Sequence, residues 1–140
     1  MTWVIYAILS ALFASLVAIF GKIGIRGVDS NLAVAIRTLI IVGFAWLIVW
    51  FQGNAGDLFK ISRYSYLFII LSAIATGLSW LFYYKALQLG EVSRVASVDK
   101  LSVALTILLA FVFLAERPSP GNVLGGLLVT AGILVTVLVK

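Results

Sequence analysis

The chain has 140 residues, of which 64 % are hydrophobic and 11 % charged, with ten basic and five acidic side chains. A mean hydropathy of +1.21 excludes an ordinary water-soluble domain, in which about 25 % of residues are charged because the surface must be solvated. Cys and His are absent, which excludes disulfides, thiol or imidazole catalysis and the usual zinc and haem ligands, and no metal or cofactor is expected.

A helix crossing about 30 Å of hydrocarbon needs about 20 mainly apolar residues, and five such runs follow one another, over 3–20, 32–51, 64–87, 92–115 and 123–139. The first ends in a polar, Gly-rich turn from Gly21 to Asp29 and lacks a basic segment ahead of it, so it reads as a retained span rather than a signal peptide. At about 100° per residue, Ala7, Ala11, Ala14, Ala18 and Gly21 share one side of it. The second run carries Arg37, and the 52–63 segment after it is the longest loop.

In the third run Ser72, Thr76, Ser79 and Tyr83 fall on one stripe, with Trp80 and Tyr84 beside it. Hydroxyls so placed either bond the neighbouring backbone or line a polar pathway. A short turn from Gln88 to Glu91 joins this run to the fourth as an antiparallel hairpin, and the fourth contains Asp99 and Lys100. The segment from Glu116 to Asn122, with two prolines, breaks the chain before the last run. There Gly121, Gly125, Gly132 and Thr136 share a side, which lets a second helix approach closely, either within the chain or between subunits. The fold class is therefore an all-α integral membrane protein, one domain over 1–140 with five transmembrane helices.

Five spans put the two ends of the chain on opposite sides. The side holding the N-terminus has Lys60, Arg63 and Arg117, and the other has Lys22, Arg26, Lys85, Arg94 and Lys140. The positive-inside rule favours the second side as cytoplasmic, but only weakly. The net charge of +5 is scattered over short loops, which fits contact with anionic lipid headgroups better than nucleic-acid binding.

Ionisable side chains within spans cost about 2.5 to 3.5 kcal/mol on insertion scales, so they are functional candidates by default. Counting about 1.5 Å per residue from the same side, Asp99 and Lys100 lie roughly 11 to 12 Å deep, Ser79 about 12 Å and Arg37 about 7.5 Å. The four can share one layer. Adjacent helical residues diverge by about 100°, so Asp99 and Lys100 are expected to face different ways. Asp99 is expected to pair with Arg37 and leave Lys100 for a ligand; the alternative is that Arg37 and Lys100 reach out to the interface. Glu91 and Arg94, three apart near a span end, read as a surface pair.

The stretch from Tyr84 to Ser97 (YKALQLGEVSRVAS), then Leu114 to Pro120 (LAERPSP), then Leu124 to Val135 (LGGLLVTAGILV), resembles the EamA domain of the drug/metabolite transporter superfamily. The likeness covers essentially the whole chain, and Asp99-Lys100-Leu101-Ser102 resembles a short-chain subgroup that lacks the Pro commonly found near position 103. The resemblance implies one half of a ten-helix fold built from inverted repeats around a central site. A lone half has nothing to rock against, so it further implies a homodimer, with antiparallel subunits that the weak charge bias allows. The related small multidrug exporters rely on an acidic residue in the first helix; only Ser10 and Ser15 are polar inside this one, and a quaternary-cation antiporter of that kind is not expected.

Together these readings predict a secondary transporter, by family analogy an exporter, of a small polar or amphipathic metabolite in a cell inner membrane. Arg37, Asp99, Lys100, Ser79, Tyr83, Thr76 and Trp80 are the expected substrate or ion pathway. Gly121, Gly125 and Gly132 are the expected dimer or helix-packing residues. The expected partners are membrane lipid, a small-molecule substrate and a second copy of the chain. The other reading is a non-transporting scaffold or regulatory subunit, and no nucleophile and base stand at a catalytic spacing.

Overall fold

The computed structural model describes residues 2–139. The described residues are helical almost throughout, with no strands. The helices are α1 (Thr2–Gly24), α2 (Ser30–Phe51), α3 (Arg63–Leu89), α4 (Val92–Asp99), α5 (Leu101–Leu114) and α6 (Pro120–Leu138), with a 3-10 helix at Asn54–Lys60. Five helical segments are long and apolar enough to cross a bilayer, α4 and α5 together making the fourth. In hydrocarbon every backbone N–H and C=O needs an internal partner, which the helix supplies. Helix α1 runs on through Gly21–Gly24, residues that the sequence reads as turn, because the backbone ladder continues there as far as Ile25 N–H on Gly21 O at 3.0 Å.

Local chemistry sets the helix ends. The Asp29 carboxylate caps α2, accepting from the N–H groups of Asn31 at 2.9 Å and Leu32 at 3.0 Å, donors that would otherwise be orphaned. Ser119 caps α6 through Asn122 N–H at 3.2 Å, and Pro120, which lacks an N–H, opens that helix. Between α2 and α3 the 3-10 helix carries an exposed Lys60–Asp57 ion pair at 2.6 Å. Tyr66 Oη donates to Leu58 O at 2.9 Å and ties that turn to α3.

The chain forms two compact units, Met1–Gln88 and Leu89–Lys140. In the first, the C-terminal ends of α1 and α3 meet the start of α2. Lys22 Nζ donates to Leu87 O, and Gln88 Nε2 donates to Val28 O at 2.8 Å. Ala18, Gly21, Ile25, Val34, Tyr84 and Leu87, all buried, belong to this end. In the second unit α6 packs on α5 and α4. Elsewhere Leu, Ile, Val, Phe and Trp side chains are exposed along every span, a surface that water would not tolerate and that lipid solvates.

Candidate functional site

The first unit holds one of the three charges placed within spans. Arg37 lies seven residues into α2, about 10 Å along the axis. Its guanidinium carbon stands 4.2 Å from the centroid of Trp80 and 4.9 Å from that of Tyr84. Trp80 and Tyr84 are four apart on α3, so their rings share one face and receive the same cation. Such contacts are worth about 0.5 to 1 kcal/mol when exposed and about 2 kcal/mol when desolvated. They fix the guanidinium against one face of α3. Tyr84 is buried, and its neighbour Tyr83 sets its ring edge-on to it at 6.2 Å.

This clamp depends on a glycine of α1. A Cβ at Gly21 would stand 3.0 Å from Tyr84 Oη and 3.2 Å from its Cζ, so any side chain there would push the ring from its place by a few tenths of an ångström. Within the unit the carboxylates of Asp29 and Asp57 are engaged elsewhere, in the α2 cap and with Lys60. The α3 hydroxyl stripe is divided. Thr76 Oγ1 donates to Ser72 O at 2.8 Å, the backbone-bonding alternative, while Ser79 lies exposed four residues before Tyr83.

The second unit holds the other two charges, at a break in its first span. Helix α4 ends at Asp99 and α5 begins at Leu101, with Lys100 between them at φ −70° and ψ −6°. Hydrogen bonds tighten to three-residue steps on both sides, Lys100 N–H to Ser97 O at 3.1 Å and Val103 N–H to Lys100 O at 3.0 Å. A 3-10 step within an apolar span marks a hinge or a strained site, and here neither Pro nor Gly produces it. Lys100 Nζ stands 3.4 Å from Asp99 Oδ2. The expectation that these two residues face apart is corrected, because the regular helical period stops at Lys100 and its long side chain folds back. Lys100 is therefore not left without a partner. Glu91 and Arg94 form the surface pair read from their spacing, at 3.4 Å.

Packing of α6 also differs in register. A Cβ at Gly126 would stand 3.0 Å from Ile107 Cδ1 and 4.0 Å from Ala104 Cα, so this glycine makes the close approach to α5. Among the described residues nothing lies within 4 Å of a Cβ built on Gly125 or Gly132, and Gly121 would meet only Ser119 Oγ at 3.7 Å. Packing within the unit thus uses the neighbour of Gly125. An open, apolar groove of about 270 Å³ lies along α5 and α6, lined by Ile107, Phe111, Pro118, Val123, Gly126 and others. Among the described residues no three His, Cys, Asp or Glu gather as metal ligands would.

These features sit in a chain whose relatives can be compared directly. Residues 1–138 match the model of the EamA-like transporter family. The chain belongs to that family. A relative from Sinorhizobium sp, described as an uncharacterized transporter in the cobO 3'region, is 40 % identical over 133 residues, which span 95 % of this chain and 94 % of the relative. No solved structure matches the chain. As an EamA-like chain with five apolar spans it is a multi-pass membrane protein, and its family points to transport rather than catalysis.

Proposed function

We propose that the chain is a secondary transporter that exports a small polar or amphipathic metabolite across a cell inner membrane, acting as a homodimer by alternating access. The observation that carries this reading is the interrupted fourth span, where an ion pair and a helix break coincide at Asp99 and Lys100. Discontinuous helices near the midplane are where transporters bind substrate and coupling ions, because the unwound turn offers backbone and charge to a ligand. Opening the Asp99–Lys100 pair frees a carboxylate for a proton or cation and an ammonium for substrate, so each could bind as the other is released. Ser79 and Tyr83 on α3 would add hydrogen bonds along the pathway.

A five-span chain needs a second copy to rock against, and the near-even split of basic residues permits antiparallel subunits. Residues Gly121, Gly125 and Gly132 offer an open small-residue side on α6 for that contact.

The test is flux in proteoliposomes of the purified chain under an imposed proton or sodium gradient, comparing wild type with Asp99→Asn and Lys100→Met. Gradient-driven flux that both variants lose supports the reading. Flux unchanged in both removes the site, and a parallel dimer without flux in any form indicates a scaffold instead. Cysteines placed singly in the 52–63 loop and at the C-terminus, labelled from each side, report orientation: labelling from both sides supports antiparallel subunits, and one-sided labelling excludes them.

A further inference from the structure

We infer that the Arg37–Trp80–Tyr84 clamp is an oxyanion-recognition site, and hence that the transported solute is a small organic anion bearing a carboxylate or phosphate. The inference rests on the transport reading above but arises from a different part of the molecule. Both rings receive the guanidinium on their faces, at 4.2 and 4.9 Å. Ring faces attract the charge, yet they accept none of the in-plane N–H bonds that guanidinium makes best. Among the described residues of the Met1–Gln88 unit those N–H groups have no carboxylate partner, since Asp29 and Asp57 are engaged elsewhere. A planar fork of donors, held in place and only half-buried, matches a carboxylate or phosphate with two parallel hydrogen bonds.

The surrounding charge points the same way. The end of the unit where α1, α2 and α3 meet carries Lys22, Arg26 and Lys85 against the single carboxylate of Asp29, already committed to a helix cap. Basic side chains gathered around a positive site concentrate anions and repel cations. Two oxyanion sources could fill the fork, a soluble metabolite or a lipid phosphate. The guanidinium is held against Trp80 and Tyr84, and the experiment below separates the two sources.

The test uses the full chain in detergent, with Trp3, Trp46 and Trp50 changed to Phe so that Trp80 alone reports. Benzoate and phenylphosphate are expected to shift its fluorescence saturably, whereas benzyltrimethylammonium and benzyl alcohol do not. Arg37→Lys, which keeps the charge but not the fork, is expected to weaken binding about ten-fold or more, and Arg37→Gln to abolish it, with elution profiles checking that each variant is folded. An equal response to the cation, or a benzoate response unchanged in Arg37→Gln, overturns the assignment. A response only to dioctanoyl phosphatidylglycerol overturns it too, making Arg37 a lipid anchor. Counterflow of phenylphosphonate in phosphatidylcholine vesicles separates this inference from the transport reading. Flux of cations or neutral solutes independent of Arg37 leaves transport standing and defeats the anion class. Anion binding without any flux leaves the site standing and defeats transport.

Discussion

Gly21 and Tyr84 fit together because one lacks a side chain where the other needs room: the ring's Oη and Cζ lie 3.0 and 3.2 Å from where a Cβ would be. Since the same ring supports the Arg37 guanidinium, α1 takes part in the clamp without contributing a polar group. Gly21→Val is expected to lower stability by about 1 to 3 kcal/mol through overpacking, and to weaken the Trp80 response to benzoate. Gly24→Ala meets open space and is expected to be neutral or stabilising by up to about 1 kcal/mol. Thermal unfolding in micelles, read beside the fluorescence titration, checks both.

Ala115 is the one non-glycine residue at positive φ among those described, at 54°. It ends α5, where its N–H and that of Glu116 both turn back to Ala110 O. A side chain in the left-handed region costs roughly 1 to 2 kcal/mol, so Ala115→Gly is expected to raise stability by about 1 kcal/mol and Ala115→Val to lower it. The two melting temperatures should move in opposite directions; a shift in the same direction would show that the strain is absent.

The Asp99–Lys100 pair predicts non-additive behaviour. Removing either partner leaves an uncompensated charge in a span, whereas removing both leaves none. Asp99→Asn and Lys100→Met are each expected to reduce the yield of folded protein, and the double variant to recover most of that yield while remaining inactive in flux. Monodisperse protein recovered per cell, measured for the four members of the cycle, decides this, and simple addition of the two losses would rule the coupling out.

Neighbouring glycines on α6 should part company. Gly126→Leu drives a side chain into Ile107 and is expected to cost about 2 kcal/mol or more, because two helix backbones must separate. Gly125→Leu faces open space in the chain, and its expected effect is loss of the dimer with little change in protomer stability. Thermal melts and cross-linking yields separate the two outcomes.

The five spans, the all-helical fold and the family were legible from the sequence, since a lipid environment imposes long apolar runs, although α1 runs four residues past the end read for it. So were Asp29, Ser119 and Pro120 as residues of turns, and Arg37, Asp99 and Lys100 as the costly charges within spans. Trp80 and Tyr84 were visible as aromatic neighbours of a polar stripe, but not as the support of Arg37. That meeting joins α2 to α3 and needs the room left by Gly21 on α1, three segments whose rotation no single helical period defines. The break at Lys100 carries neither Pro nor Gly to announce it. The choice of Gly126 over Gly125 separates two identical residues one position apart, and only the place where α5 packs distinguishes them. Hydrophobicity along the chain decides what crosses the membrane; which faces of the crossing helices touch is decided by side-chain shape at their contacts, because lipid is as apolar as the helices and does not favour one face over another.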